Sequence, residues 1–220
     1  MILTLTSRRS PLAIAQVDEV LKEITLHHPS VQFSCHFIDT TGDIDQKTSL
    51  RSLDKTDFFT KEIDEALLSG ACRIAVHSAK DLPEPLPQGI TLVALTRGVD
   101  SSDALVLKPG KTPANLPPKA LIATSSVRRE EAVRQLMPHA SFTDIRGTVN
   151  QRLMSLEHDS IDGVVVAEAA LIRLGLTNLN RFKLPGDTTP LQGQLAVMAR
   201  SEDTEMHFLF SCIDARQCVH

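Results

Sequence analysis

Short apolar runs alternate with longer amphipathic segments along most of the chain, and this alternation limits the possible folds more than any other feature. Near the N-terminus, Ile2–Leu5 predicts a strand, Ser10–Leu26 a helix and Val31–Ile38 a second strand. Helices between short strands are typical of parallel or mixed sheets covered on both faces. The pattern therefore predicts an α/β fold. Further predicted elements are the helix Thr60–Leu68 and the strands Arg73–Val76, Thr91–Leu95 and Ala104–Leu107.

The stretch LKPGKTPANLPPKA, residues 107–120, interrupts this pattern and predicts a surface loop because it is rich in proline and glycine. The pattern then restarts, which predicts two similar α/β lobes with a central cleft. We expect lobe 1 to comprise residues 1–96 and 190–220, and lobe 2 residues 97–189. The predicted elements after the loop are the strands Leu121–Ala123, Ser141–Ile145 and Gly163–Ala167 and the helices Ser126–Leu136, Thr148–Leu156 and Ala169–Leu174.

Composition excludes several classes of protein. The net charge is −4 and aromatic residues make up 4% of the 220 residues, which argues against a nucleic-acid-binding module. We expect no membrane span, since no apolar run reaches the length of one, and the N-terminus predicts a strand rather than a signal peptide. The four cysteines form no CxxC pair, so we expect no metal site and reduced thiols in a cytoplasmic protein.

The stretch ATSSVRREEAVRQL, residues 123–136, carries a candidate anion site where a predicted strand runs into a helix. Hydroxyl groups and free backbone N–H groups at a helix N-terminus bind anions. Arg128 and Arg129 in the first turn oppose the helix dipole, which destabilises the helix unless an anion compensates them. The alternative is an ordinary serine N-cap with solvated arginines.

Two further loops follow the same plan. Arg146 and Arg152 lie in DIRGTVNQRL, residues 144–153, and Arg173 lies in ALIRLGL, residues 170–176. Ligands of open α/β sheets bind beyond the carboxyl ends of the strands, so these loops are expected to meet. Their arginines predict a small ligand with several carboxylates or phosphates. In lobe 1, SRRSPLA (7–13) repeats the strand-to-helix junction, and TTGDIDQKT (40–48) predicts a turn with acidic and hydroxyl groups.

The stretch VHSAKDLP, residues 76–83, places Lys80 and Asp81 directly after a predicted buried strand. A carboxylate in a cleft can stabilise a developing cation or transfer a proton. The alternative is a surface ion pair of little energetic consequence. His77 and Ser78 do not form a hydrolase pair, because no GxSxG nucleophile elbow is present.

Eight segments together resemble the porphobilinogen deaminase (hydroxymethylbilane synthase) family. In chain order they are RRSPLA, TTGD, FTKEIDEAL, IAVHSAKDLP, ATSSVRR, IRGTVNQRL, ALIRLGL and PLQGQLAV, and the resemblance runs from about Ile2 to Arg200. It implies two periplasmic-binding-protein-like (type II) lobes. It also implies stepwise head-to-tail condensation of porphobilinogen, with ammonia release, on a dipyrromethane primer attached to a cysteine. The product would be hydroxymethylbilane, for tetrapyrrole and heme biosynthesis.

The resemblance also implies roles for individual residues. Asp81 would be the catalytic carboxylate, assisted by Lys80. Gln192 matches a family glutamine in the second crossing between lobes, and Phe59 an aromatic residue near the cleft. The groups expected to hold the acetate and propionate side chains, besides Lys80, are Arg8, Ser10, Thr124, Ser125, Ser126, Arg128, Arg129, Arg146, Arg152 and Arg173.

The C-terminal segment departs from the family pattern. The family's primer cysteine lies in a Gly-Gly-Cys stretch of a third, smaller domain, which we expect to be absent here. Cys218, in ARQCVH, is the candidate for primer attachment, and a free terminal thiol is the alternative; Cys212 is expected to be buried. We expect a monomeric enzyme without nucleic-acid or membrane partners. A non-catalytic two-lobed protein that binds a small polycarboxylate is the alternative function.

Overall fold

The computed structural model describes residues 1–49, 51, 56–158 and 160–217. Two compact units make up the chain. Unit 1 comprises Met1–Asp45, Lys55–Val99 and Gln194–His220, and unit 2 comprises Gln46–Asp54 and Asp100–Gly193. The short segment from residue 46 to residue 54 thus groups with unit 2, although its neighbours in the sequence belong to unit 1.

Strands and helices alternate over most of the described chain. The strands are β1 (Ile2–Arg8), β2 (Gln32–Ile38), β3 (Ile74–Ser78), β4 (Ile90–Leu95), β5 (Asp103–Leu107), β6 (Leu121–Ala123), β7 (Ser141–Thr143), β8 (Gly163–Ala167), β9 (Arg181–Lys183) and β10 (Leu195–Arg200). The α-helices are α1 (Pro11–His27), α2 (Thr41–Ile44), α3 (Lys61–Leu68), α4 (Val127–Leu136), α5 (Val149–His158), α6 (Glu168–Arg173) and α7 (Thr204–Phe210).

Unit 1 is built on a mixed five-stranded sheet in the order β2-β1-β3-β10-β4. Strand β1 pairs in parallel with β2 and β3, whereas β10 runs antiparallel to both β3 and β4. On one face, Val17 and Ile24 of α1 pack with Phe210 of α7 in an apolar core. On the other face, Ile63 and Leu67 of α3 are fully buried. Each face of the sheet is therefore covered by helices.

Unit 2 contains a second mixed sheet, in the order β7-β6-β8-β5-β9. Strand β6 is parallel to β7 and β8, while β5 is antiparallel to β8 and β9. Val133 of α4 packs in the core on one face of the sheet, and Leu156 of α5 and Leu171 of α6 pack in a second core. The predicted α/β class with mixed sheets is confirmed in both units.

Several elements differ from those predicted. Strands β9 and β10 were not expected, although β10 lies near the centre of the unit 1 sheet. The predicted strand Ser141–Ile145 ends at Thr143, because the backbone N–H of Ile145 turns to the side chain of Ser125. The predicted turn at TTGD contains the short helix α2. Among the described residues, no helix has both the length and the apolar character needed to cross a bilayer.

Candidate active site

In unit 1, the candidate site residues follow three neighbouring strands. Because β2, β1 and β3 are parallel and adjacent, their carboxyl ends meet at one edge of the sheet. Arg8 ends β1, the segment 39–43 follows β2, and Lys80 and Asp81 follow β3. The sheet therefore brings the predicted cation and the predicted catalytic carboxylate of lobe 1 to the same edge.

Lys80 and Asp81 lie on a single turn of 3-10 helix, Ala79–Asp81, which begins where β3 ends. The backbone N–H of Ala79 donates to the carbonyl of Gln194 at 3.0 Å, and Ala79 itself is buried. Pro83 is also buried just after the turn. The turn is thus fixed on both sides, while the side chains of Lys80 and Asp81 remain half-buried and accessible.

Arg8 is held by two groups in unit 1. Its Nε donates to Oδ2 of Asp43 at 3.1 Å, and its Nη2 pairs with Oδ1 of the same carboxylate. Its guanidinium carbon also lies 4.5 Å from the ring centroid of Phe59, a cation–π geometry. Burial alone would raise the pKa of Asp43, but hydrogen bonds with Arg8 and Thr40 and the Arg8 charge lower it. Asp43 therefore stays ionised and fixes the Arg8 side chain.

Polar residues around the end of β3 are mostly paired. Ser10 is the N-cap of α1, where its Oγ accepts from the N–H of Ala13 at 3.2 Å. Ser78 Oγ accepts from Nε2 of the buried Gln16 at 2.7 Å. His77 is 5% exposed, and its buried Nε2 has no hydrogen-bond partner among the residues that the structure describes. Burial, followed by the charge of Arg8, lowers the pKa of His77 to about 4, so the imidazole is neutral at physiological pH.

In unit 2, the three predicted arginine-bearing loops follow the adjacent parallel strands β7, β6 and β8. Ser125 joins two of these loops: its Oγ donates to the carbonyl of Ile145 at 2.6 Å and accepts from the Ile145 N–H at 3.0 Å. Ser126 is the N-cap of α4. Thr124 is buried, and its Oγ1 accepts from the N–H of Ser126 at 3.3 Å. These hydroxyls shape the loops around the N-terminus of α4.

A buried carboxylate compensates the two arginines in the first turn of α4. Arg129 donates from Nε and Nη2 to Oδ1 of Asp103 at 2.9 and 2.7 Å, and Arg128 donates from Nη2 to Oδ2 at 2.6 Å. Burial would raise the pKa of Asp103, but the charges and hydrogen bonds of both arginines lower it. The anion that the sequence requires near this helix is thus supplied, in part, by the protein itself.

Gln192 is buried beside this cluster. Its Nε2 donates to the carbonyl of Ser101 at 2.7 Å and to Oδ1 of Asp103 at 3.0 Å. The next residue, Gly193, has φ +88°, and its carbonyl accepts from Nη2 of Arg173 at 2.8 Å. Gln192 therefore ties the chain just before its exit from unit 2 to the start of β5.

The remaining predicted arginines of unit 2 lie at the β7–α5 connection. Arg146 is half-buried in that connection, and Nε of Arg152 donates to the carbonyl of Gly147 at 2.9 Å. Thr148 and Gln151 exchange side-chain-to-backbone hydrogen bonds at 2.8 and 3.3 Å, which forms a capping box for α5. This cap and Gly147, whose φ is +94°, set the direction in which the chain enters α5.

Charged residues that were not predicted from the sequence also belong to these clusters. Asp43 and Asp103 orient the predicted arginines, and Arg51 pairs with the buried Glu130 and donates to the carbonyl of Thr124 at 3.2 Å. An acidic residue at the start of the apolar run DALVL was a usable signal for Asp103, because a buried carboxylate requires a cationic partner. Nothing in the local sequence indicates the partner of Arg51.

Two cysteine expectations have different outcomes. Cys218 lies outside the described residues. Cys212 is exposed rather than buried, because it belongs to a 3-10 turn after α7 and not to the buried face of that helix. Its Sγ contacts the carbonyl of Leu209 at 3.4 Å.

Comparison of the sequence with protein families identifies one domain. The family model described as "Porphobilinogen deaminase, dipyromethane cofactor binding domain" matches residues 3–208. A probable porphobilinogen deaminase of Chlamydia trachomatis is 42% identical over 90% of this chain and 81% of that protein. The porphobilinogen deaminase of Roseiflexus sp. is 39% identical over 96% of the chain and 71% of the relative. That of Thermus thermophilus is 40% identical over 90% and 65%.

Solved structures resemble the chain in fold alone. A periplasmic substrate-binding protein of an ABC transporter from Coxiella burnetii aligns with a TM-score of 0.59 at 14% identity, covering 96% of this chain and 91% of that one. The VFT2 domain of Bordetella pertussis BvgS aligns with a TM-score of 0.54 at 11% identity, over 96% and 86%. The predicted periplasmic-binding-protein-like fold is confirmed.

Proposed function

The chain belongs to the porphobilinogen deaminase family, and from this premise we propose how its residues serve the reaction. It is a hydroxymethylbilane synthase-type transferase of porphyrin biosynthesis, which condenses porphobilinogen stepwise on a dipyrromethane cofactor. In each step a C–N bond of porphobilinogen breaks and ammonia leaves. A C–C bond then forms between the resulting methylene carbon and the terminal pyrrole, and a proton is lost from the pyrrole carbon that forms the new bond. The residues therefore have to bind carboxylates, stabilise a transient cation and move protons.

The donors of unit 2 suit a ligand with several carboxylates, such as dipyrromethane or porphobilinogen. Arg128 and Arg129 stand at the N-terminus of α4, where backbone N–H groups and the helix dipole also favour anions. Arginine guanidinium groups bind carboxylates through paired, charge-assisted hydrogen bonds. Bound dipyrromethane supplies the terminal pyrrole carbon to which porphobilinogen is joined. Arg146, Arg152 and Arg173 would hold the other acetate and propionate groups, together with the hydroxyls of Thr124, Ser125 and Ser126.

The observation that carries the catalytic assignment is the position of Asp81. It lies on a fixed turn at the end of β3, half-buried, at the sheet edge where Arg8 ends β1. A carboxylate in this position can stabilise the cation that forms when ammonia leaves, and can accept and return a pyrrole proton. Lys80, beside it on the same turn, would bind a substrate carboxylate.

Arg8 and Phe59 would complete the substrate-binding surface of unit 1. The ring of Phe59 and the carboxylate of Asp43 hold the Arg8 guanidinium, so that this donor needs little reordering when an anion binds. Ser10 would act through the start of α1, which it caps. Gln192 would act through Asp103 and the main chain to which it is bonded.

Intact-mass measurement on protein made in cells tests the cofactor and its attachment. A mass excess that matches dipyrromethane is expected, together with consumption of porphobilinogen and release of ammonia. Cys218→Ser should abolish the excess if Cys218 carries the cofactor, and Cys212→Ser is the matched control. An unmodified mass combined with no consumption of porphobilinogen would overturn the proposed function for this chain.

We further propose that the enzyme is a cytoplasmic monomer that uses porphobilinogen and has no nucleic-acid or membrane partner. The described cysteines Cys35, Cys72 and Cys212 are free thiols, which supports a reducing compartment. Size-exclusion chromatography with light scattering tests the oligomeric state.

A further inference from the structure

We propose that Asp103 is a positioning residue for ligand carboxylates, because it sets the direction of the two guanidinium groups at the start of α4. This inference rests on the proposed function and deepens it. Asp103 itself contacts Arg128, Arg129 and Gln192, and its part in binding is exerted through the arginines.

Burial makes this carboxylate an anchor rather than a ligand-binding group. The Asp103 side chain is 2% exposed, whereas those of Arg129 and Arg128 are 13% and 30% exposed. Exposure thus increases from the carboxylate to the arginines. The Asp103 carbonyl also accepts from the N–H of Leu184 at 2.9 Å, which fixes the backbone from which the carboxylate projects.

The hydrogen bonds divide the arginine donors into two sets. The Asp103 carboxylate accepts hydrogen bonds from Nε and Nη2 of Arg129 and from Nη2 of Arg128. Nη1 of Arg128 donates instead to the carbonyl of Asp187 at 2.8 Å. Within the described parts of the chain, Nη1 of Arg129 and Nε of Arg128 make no hydrogen bond. These donors are available to a ligand, and their directions follow from the bonds to Asp103.

Charge leads to the same conclusion. One buried carboxylate offsets one of the two adjacent guanidinium charges, which leaves one positive charge at the N-terminus of α4. Two uncompensated arginines would repel each other and oppose the helix dipole. Gln192 supports the carboxylate through its Nε2 at 3.0 Å, and its Oε1 accepts from Nη2 of Arg129 at 3.4 Å. The cluster is therefore ordered before a ligand binds.

The test is direct binding of porphobilinogen, measured by calorimetry in an Asp81→Ala background so that turnover does not consume the ligand. Asp103→Asn keeps the side-chain size but removes the charge that orders the arginines. We expect Kd to rise at least about tenfold, since charge-assisted hydrogen bonds with the carboxylate depend on guanidinium direction. The matched control is Asp203→Asn, which removes a comparable two-bond carboxylate–Arg73 pair at the other end of β3, and should leave Kd unchanged.

A second pair of variants keeps the test decisive if Asp103→Asn alone does not fold. Arg129→Gln retains the Asp103–Arg128 pair, whereas Asp103→Asn combined with Arg129→Gln removes one charge of each sign and leaves Arg128 without its anchor. The double variant should bind porphobilinogen at least about tenfold more weakly than Arg129→Gln. Equal Kd values in either comparison, made between variants that fold, would overturn the positioning role. Turnover by the Asp81→Ala protein would instead overturn the catalytic assignment, and the Asp103 comparison would then be made on the KM values of the same variants, which steady-state kinetics measures while porphobilinogen is consumed.

Discussion

The carboxylate of Asp43 holds the guanidinium of Arg8 through Nε and Nη2, and the same carboxylate accepts hydrogen bonds from the N–H and Oγ1 of Thr40 at 3.1 and 2.8 Å. The cap of α2 and Arg8, the proposed substrate-binding arginine, thus share one carboxylate. The start of α2 and the direction of Arg8 are coupled by this arrangement.

Asp43→Asn should weaken the binding of porphobilinogen, because Arg8 loses the charge that orients it while retaining contact with Phe59. If Arg8 binds substrate and transition state alike, KM should rise about tenfold with little change in kcat. Steady-state kinetics measures both constants. Asp39→Asn, which removes an exposed partner of Arg9, is the control and should change neither. An unchanged KM in Asp43→Asn would contradict the proposed role of Arg8.

Gly193→Ala should be strongly destabilising. A Cβ at this position would lie 2.1 Å from the carbonyl oxygen of Asp100, and the backbone has φ +88°. Gly175→Ala is a matched control, since Gly175 has φ +68° but nothing within 4 Å of the added carbon. Urea denaturation should show a loss of about 1–2 kcal/mol for Gly175→Ala, from left-handed strain alone. The loss for Gly193→Ala should be larger by at least about 1 kcal/mol because the backbone must also shift. Equal losses of stability in the two variants would contradict the close approach of residue 193 to the carbonyl oxygen of Asp100.

His77 should make the protein less stable as the pH falls from 6.5 to 4. Burial, then the charge of Arg8, lowers its pKa from 6.5 to about 4, so in this window the unfolded chain binds a proton that the folded protein excludes. The contribution lost is up to about 3 kcal/mol, at about 1.4 kcal/mol per pKa unit. Denaturation at several pH values should show that His77→Gln loses less stability than the parent protein as the pH falls from 6.5 to 4. The same pH dependence in both proteins would refute the assignment.

Asp64 should change the pH dependence of stability in the opposite direction to His77, making the protein less stable as the pH rises. It is 7% exposed, and burial, then the charge of Asp57, raises its pKa from 3.8 to about 6 although Thr60 lowers it. The folded protein binds an extra proton between these values, so this group destabilises the fold as the pH rises through 6. Asp64→Asn should raise stability at pH 7.5 by up to about 3 kcal/mol, and less at pH 4. Asp57→Asn, at an exposed position, should have a smaller effect. A destabilised Asp64→Asn at pH 7.5 would contradict the prediction.

The sequence predicts those parts of the molecule that depend on local pattern. Apolar periodicity indicates most helices and strands, and strand-to-helix junctions carry the Arg128 and Asp81 turns. Strand β10 was missed because its internal, antiparallel place is set by pairing with β3 and β4, far away in the sequence. Asp103 was missed for a similar reason, since its partners Arg128 and Arg129 lie 25 and 26 residues away.

Asp81 is proposed to be the catalytic carboxylate, and the rate of porphobilinogen consumption by Asp81→Asn protein carrying its dipyrromethane tests this role most directly. Intact mass first establishes the cofactor loading of this protein and of the parent protein. A single turnover with excess enzyme then measures the chemical step without product release. Loss of a positioned acid–base group predicts a fall of about 10²–10⁴-fold with unchanged Tm. A rate within threefold of the parent protein at equal cofactor loading would contradict the claim.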